Sequence, residues 1–119
     1  LLPKMGYIPS MNFYHFPQNN SGGRFVTSNC LDAHVIIEAA SMDEANTRAA
    51  DIGIYFDGCE SGRDCDCCGD RWYRVHYNNG TPTPLVYDHY PVKNLSSVDF
   101  GDKDVVVHYI NGSRQYGTR

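Results

Sequence analysis

Long apolar runs and an excess of basic charge are both missing from this 119-residue sequence. No run approaches the roughly 20 apolar residues that a helix needs to cross a bilayer, so no membrane-spanning helix is expected. Ten basic and fourteen acidic residues give a net charge of −4, and the basic residues are scattered. Proteins that bind a nucleic-acid backbone usually carry a basic face, so a nucleic acid is not the expected partner. Residues 1–5 lack the charged and apolar regions of a secretion signal.

The sequence also lacks the evenly spread cysteine pairs of a disulfide scaffold. It has five cysteines, an odd number, and four of them are crowded together: Cys59, Cys65, Cys67 and Cys68. A secreted disulfide-rich protein normally spreads an even set along the chain. Adjacent Cys67 and Cys68 are poor disulfide partners for each other, because the ring that they would close is strained. The cysteine usage therefore predicts a reducing, cytoplasmic environment.

The composition is that of one globular domain rich in β-sheet. Hydrophobic residues make up 41% and charged residues 20% of the chain, as in ordinary globular proteins. Nine tyrosines and five phenylalanines favour sheet, and eleven glycines indicate many turns. A chain of this length fits a single domain, residues 1–119, that can bury a core without cross-links.

One amphipathic helix is predicted at about residues 41–53. Ser41 is a good N-cap, and Glu44 three residues later completes a capping box. Glu44 and Arg48 are spaced for an i,i+4 ion pair, and Gly53 is the expected C-terminal stop. A narrow apolar stripe runs along one face: Met42, Ala45, Ala49 and Ile52.

Strands are predicted on both sides of this helix. The candidate segments are residues 11–16, 24–27, 33–39, 54–56, 72–77 and 85–90. Residues 104–110 and 113–117, joined by Asn111-Gly112, predict a β-hairpin with a type I′ turn. The sum is an α+β fold, a mainly antiparallel sheet with the helix on one face. A ferredoxin-like plait is the nearest named architecture, and its second helix would have to come from residues 92–100.

The segment of residues 57–72 has the clearest chemical character. Cys65 and Cys68 form a C-x-x-C followed by Gly69, the spacing of a zinc knuckle, because two thiolates on one tight turn can reach one tetrahedral ion. A closed zinc site needs four ligands, and Cys59 and His76 are the predicted additional ones. Cys67 is expected to point away from the pair, so Cys67→Ser should cost less stability than Cys65→Ser or Cys68→Ser.

Two other interpretations of these cysteines stay open. They could form a reduced, metal-free loop in which the thiols behave as small apolar groups. A redox C-x-x-C is the third interpretation, although such motifs place the first cysteine at a helix N-terminus and this one runs into a predicted strand. Hydrogen-bonded or half-exposed sheet positions are expected for the histidines: His15, His34, His76, His89 and His108.

Three residues at the end of this segment are candidate ligand-binding residues: Arg71, Trp72 and Arg74. Arginine and tryptophan together suit an anionic, planar molecule. An Asp70–Arg71 pair that covers Trp72 would instead be structural. No Ser-His-Asp order, phosphate-binding glycine loop or pair of catalytic carboxylates can be identified, so the sequence favours a protein that is not an enzyme.

Residues 53–75 resemble a group of small uncharacterised proteins of tailed phages, often marine ones. The likeness is carried by Tyr55-Phe56-Asp57-Gly58, Asp64-Cys65 and, most specifically, Cys67-Cys68-Gly69-Asp70-Arg71-Trp72. The resemblance implies a phage origin and the cytoplasm of the infected host, and it implies no chemistry. Small phage proteins of this sort are often host-takeover or defence-evasion factors.

The leading functional hypothesis is a non-enzymatic binding or accessory protein that forms a homodimer through an exposed sheet edge or face. Aromatic-rich strands and small size favour such association. One alternative is a small enzyme that uses residues 59–72 through a metal-bound water or a cysteine nucleophile. Another is a protein that sequesters a small anionic metabolite or nucleotide at Arg71, Trp72 and Arg74.

Overall fold

The computed structural model describes residues 10–99 and 101–119. The strands in this part of the chain are β1 Asn12–Pro17, β2 His34–Ala39, β3 Leu85–Val86, β4 Tyr90–Pro91, β5 Lys93–Ser96, β6 Val105–His108 and β7 Arg114–Thr118. The helices are α1 Met42–Asp51 and the short α2 Gly58–Ser61, with a 3-10 turn at Ser21–Gly23. Five strands form one sheet in the order β1-β2-β6-β7-β5, and β3 pairs with β4 separately.

The predicted α+β class is confirmed. The β2–β6 pairing is parallel, and the other three pairings of the main sheet are antiparallel. A ferredoxin-like plait would need a second long helix, and the described residues contain none besides α1. The segment expected to supply it forms strand β5 instead, and its last residue, 100, lies outside the described residues.

Helix α1 has the predicted start and packing face. The Ser41 hydroxyl accepts a hydrogen bond from the Glu44 amide, and Ala45 and Ala49 are buried against the sheet. Arg48 does not form the predicted pair with Glu44. Its guanidinium donates to the main-chain carbonyls of Glu38 and Tyr109, so it fastens the helix to the ends of β2 and β6.

Two of the predicted strands, residues 24–27 and 72–77, are wrong, because an amide side chain takes the place of a neighbouring strand in each. Gln18 accepts from the Val26 amide and donates to the Val26 carbonyl. Asn46 of α1 likewise accepts from the Val75 amide and donates to the Val75 carbonyl. Residues 54–56 are not a strand either, since the Ile54 amide bonds back to the Ala49 carbonyl at the helix end.

The hairpin at the end of the chain forms, but its turn differs from the predicted type. The Tyr109 amide donates to the Ser113 carbonyl, and the Gly112 amide donates to the Tyr109 carbonyl. Only Gly112 has a positive φ, 89°, whereas a type I′ turn needs two such residues. The connection is therefore a three-residue loop that ends in a left-handed glycine. Residues 85–90 form a strand only in part, as the short β3–β4 hairpin.

The main sheet is covered on both faces at strands β1, β2 and β6. One face packs under α1 and the segment that follows it, with Val35, Ile37 and Trp72 in the core. The other face is covered by β3, so that Ile36 packs with Val86 among other apolar residues. Because side chains alternate along a strand, the apolar run in β2 supplies both cores.

A buried histidine pair lies on the β3 side of the sheet. His15 Nε2 is 2.9 Å from His34 Nδ1, and the Tyr87 amide donates to His15 Nδ1 at 3.0 Å. Since His15 Nδ1 accepts, its Nε2 carries the hydrogen and donates to His34. Burial, the neighbouring His34 and then Arg119 lower the pKa of His15 to about 3.

The other histidines divide between buried and exposed positions. His108 is buried and donates to the Cys30 carbonyl at 2.7 Å. The hydrogen-bonded sheet position is thus confirmed for His15, His34 and His108. His76 and His89 are exposed and lie outside the strands, so the prediction of a sheet position is wrong for these two.

We expect the His15 pair to make the protein acid-sensitive. The folded protein keeps His15 neutral while the unfolded chain takes up a proton below pH 6.5, so stability is lost as the pH falls from about 6.5 towards 3. The loss by pH 4 should be about 3 kcal/mol. Urea unfolding between pH 7 and pH 4 measures it. His15→Asn keeps an acceptor near the Tyr87 amide without titrating, and an equally steep loss in that variant would contradict the assignment.

Candidate functional site

Two aspartates hold the cysteine loop, residues 57–71, in shape. The Asp64 carboxylate is 1% exposed and accepts from the Tyr55 hydroxyl at 2.6 Å and from the Arg71 amide at 2.8 Å. Asp70 accepts from the Cys59 amide at 2.8 Å at the start of α2. Gly58 is required at its position, because a Cβ there would collide with the Asp64 carboxylate.

The guanidinium of Arg71 fastens this loop to the segment after β1. It donates to the Gln18 side chain at 2.9 Å and to the carbonyls of Arg24 at 2.9 Å and Ser21 at 2.7 Å. Its Nε lies 4.0 Å from Asp64 Oδ1. Arg71 is therefore a buried clamp between two segments that are distant in sequence.

Three exposed thiols lie together at the tip of the loop. The Sγ of Cys65 is 2.7 Å from that of Cys67, which is 3.7 Å from that of Cys68, and all three lie within 4.8 Å of one another. The amides of Cys68 and Gly69 both donate to the Cys65 carbonyl at 3.1 Å, and Gly69 has a φ of 82°. This tight turn brings the thiols to one side. The prediction that Cys67 points away from the pair is therefore wrong.

The thiols of the loop differ in acidity. The hydrogen bond from Cys67 lowers the pKa of Cys65. The hydrogen bonds of Cys67 with Cys65 and with Cys68 raise the pKa of Cys67 to about 11. Partial burial and then the Asp70 carboxylate raise the pKa of Cys59 to about 11. Cys65 is thus expected to ionise before Cys67 and Cys59.

The four predicted metal ligands are only partly brought together. Cys65 and Cys68 belong to the three-thiol cluster, which also includes Cys67. The Cys59 thiol instead donates to the Cys65 carbonyl at 3.5 Å. His76 is exposed beside Tyr77 and does not belong to the cluster.

The three predicted ligand-binding residues do not share one pocket. Trp72 is 1% exposed and packs in the core under α1. Arg74 is exposed, pairs with Asp57 at 2.9 Å and stacks on Phe56. Arg71 lines a cleft of about 370 Å³ together with residues that sequence reasoning missed: Ser21, Gly22, Arg24, Arg63 and Cys65. No periodicity in the sequence connects these positions, because only the fold brings them together.

The two arginines Arg71 and Arg74 allow a matched test of the clamp. Arg71→Met should cost about 3–5 kcal/mol of unfolding free energy, because it leaves Asp64 buried without its cation and several acceptors unpaired. Arg74→Met should cost about 1 kcal/mol or less, since its ion pair with Asp57 is exposed. Urea unfolding of both variants measures the difference. Equal losses would show that Arg71 is not a clamp.

Comparisons with known proteins place the chain in a family without indicating a chemistry. None of the helices in the described residues has the length and apolar character needed to span a membrane. The chain matches no curated protein and no solved structure. A family model described as "Domain of unknown function (DUF7296)" matches residues 11–119. The chain therefore belongs to the DUF7296 family.

Proposed function

We propose that this protein is a non-enzymatic binding protein that holds a thiophilic metal ion at Cys65, Cys67 and Cys68. The observation that carries the proposal is the mutual approach of their three Sγ atoms, all within 4.8 Å of one another. Thiolates are soft ligands that select zinc, copper(I) or iron–sulfur centres over hard cations. Three of them on one turn need little rearrangement to meet a single ion.

The distances between the three Sγ atoms are close to those around a single zinc ion, which would draw the thiols slightly apart. Sulfurs around a tetrahedral zinc lie about 3.8 Å apart, given Zn–S bonds of about 2.3 Å. The 3.7 Å between Cys67 and Cys68 already fits this value. The 2.7 Å between Cys65 and Cys67 must lengthen by about 1 Å, which side-chain rotation allows because both residues are exposed.

Zinc is the ion that we propose, and three cysteines leave its fourth position open. Structural zinc sites are closed by four protein ligands, whereas three protein ligands leave room for water or another donor. Cys59 is the candidate fourth ligand within the loop, since its thiol already reaches the Cys65 carbonyl. The remaining candidates are water, His76 and a ligand from a second copy of the chain.

Zinc binding should depend on all three thiols of the cluster. We expect the reduced protein to bind one equivalent of zinc, and a chelator to lower its melting temperature, because metal binding stabilises the folded state. Cys65→Ser, Cys67→Ser and Cys68→Ser should each weaken zinc binding at least about tenfold and remove the response to chelator. Zinc titration followed by metal analysis and thermal unfolding measures these effects, and a parallel titration with copper(I) compares the two ions.

The control is Cys30→Ser, which removes a thiol outside the loop that accepts from Arg114 at 3.0 Å. It should leave zinc binding unchanged. Cys59→Ser identifies the fourth ligand, since it weakens binding only if Cys59 completes the site. Unchanged zinc affinity in all three cluster variants would contradict the proposal.

A homodimer and an accessory role in the cytoplasm of a phage-infected bacterium belong to the same proposal. The likeness of residues 53–75 to phage proteins supports the accessory role in the infected host. The homodimer is supported by exposed apolar side chains in β4 and β5: Tyr90 is 51% exposed and Leu95 is 40% exposed. Main-chain pairing along β5 is not proposed, because a register irregularity and the left-handed Asn94 blunt this edge.

Sedimentation should therefore detect a dimer of the wild-type protein, and Tyr90→Ser with Leu95→Ser should shift it towards monomer. Comparable changes at exposed positions elsewhere, Tyr73→Ser with Val26→Ser, should leave the dimer intact. A strict monomer at high protein concentration would rule out the dimer.

A further inference from the structure

Three arginines line the cleft that also contains Cys65. Its volume is about 370 Å³, and its cationic lining residues are Arg24, Arg63 and Arg71. The whole chain carries a net charge of −4, so this cleft opposes the overall charge. Of the three, only Arg71 has a carboxylate partner among the described residues, Asp64. Like charges repel one another, so an anionic occupant is favourable there.

Two of the three arginines keep their charge available to the cleft. Neither Arg24 nor Arg63 forms an ion pair among the described residues. The neighbouring Asp64 carboxylate is turned inward, onto the Tyr55 hydroxyl and the Arg71 amide. Arg63 stacks on the Tyr55 ring at 3.6 Å, and a stacked guanidinium still presents its N–H donors at the edge of its plane.

Arg71 contributes a charge that is fixed in position before any ligand arrives. Its three hydrogen bonds go to neutral acceptors: the Gln18 side chain and the carbonyls of Ser21 and Arg24. These acceptors orient the guanidinium, and the Asp64 carboxylate offsets its charge from the Nε side only, at 4.0 Å. A pre-oriented charge lowers the ordering cost of binding an anion.

Gly22, which also lines the cleft, gives a ligand access to the main chain. Gly22 has a φ of 75°, and no atom lies within 4 Å of the position that its Cβ would occupy. A ligand can therefore approach the backbone of the Ser21–Gly23 turn closely.

From this geometry we propose that the Arg24–Arg63–Arg71 cleft binds an oxyanion, specifically a phosphate group. Forked arginine donors match the oxygens of phosphate, and the volume admits a small phosphate monoester as well as the inorganic ion. The buried Trp72 cannot stack on a nucleobase, and Arg63 covers one face of the half-buried Tyr55 ring. Recognition is thus of the phosphate rather than of a base. The cleft shares Cys65 with the metal site proposed above, but its three arginines are not metal ligands and phosphate binding does not depend on a bound metal.

Calorimetry on the metal-free, reduced protein tests the site with two probes, inorganic phosphate and glycerol phosphate. We expect saturable binding of one equivalent, and a tighter constant for one probe identifies the free ion or the monoester as the better ligand. Arg24→Gln and Arg63→Gln should each weaken binding about tenfold, the effect of losing one charge-assisted hydrogen bond. Both side chains are at the surface, so the variants should fold, and circular dichroism verifies this.

Arg74→Gln is the matched control, because it removes one exposed positive charge from the same region without touching the cleft. It should change the affinity less than about twofold. Equal weakening by Arg74→Gln and Arg24→Gln would mean that phosphate responds only to net charge, and would overturn the proposal. Absence of saturable binding of both probes would also overturn it. Cys68→Ser, which removes a proposed metal ligand outside the cleft lining, should leave phosphate binding intact, so the two sites can fail separately.

Discussion

The buried guanidinium of Arg71 is the constraint on which the cysteine loop depends. It joins the loop to the Gln18–Arg24 segment through neutral acceptors, while its own amide holds the Asp64 carboxylate. Removing a charge from water is costly unless its donors are satisfied, and here the compensation comes from two main-chain carbonyls, the Gln18 amide and the Asp64 carboxylate 4.0 Å from Nε. The thiols at the tip of the loop can therefore stay exposed on a turn whose base is rigid, and the metal and phosphate sites proposed above share that base.

The parts of the fold that were predictable from sequence are those with local signals. Helix α1 begins where Ser41 and Glu44 form a capping box, and β2 coincides with a run of branched apolar residues. The terminal hairpin follows from Asn111-Gly112, although the turn uses only Gly112 in the left-handed region. In each case residues close in sequence decide the conformation, so no knowledge of the tertiary structure is needed.

The parts that were not predictable depend on contacts between distant residues. Residues 72–77 alternate as a strand should, yet their partner is the side chain of Asn46 on a helix. The C-x-x-C motif concerns only its first and last cysteines, so it predicts that Cys67 faces away from them. The turn instead brings all three thiols together. Arg24 and Arg63 gave no signal, since their common cleft exists only once Arg71 has docked.

The two amide side chains that stand in for neighbouring strands have a consequence for how relatives of this chain can vary in length. The hydrogen bonds between two paired strands fix the register of a whole run of residues. One residue inserted into such a strand turns every side chain beyond it to the other face of the sheet. Gln18 binds Val26, and Asn46 binds Val75, at both the amide and the carbonyl of that one residue. A residue gained or lost after either of these two points therefore shifts no strand register, and we expect insertions within the family to concentrate there.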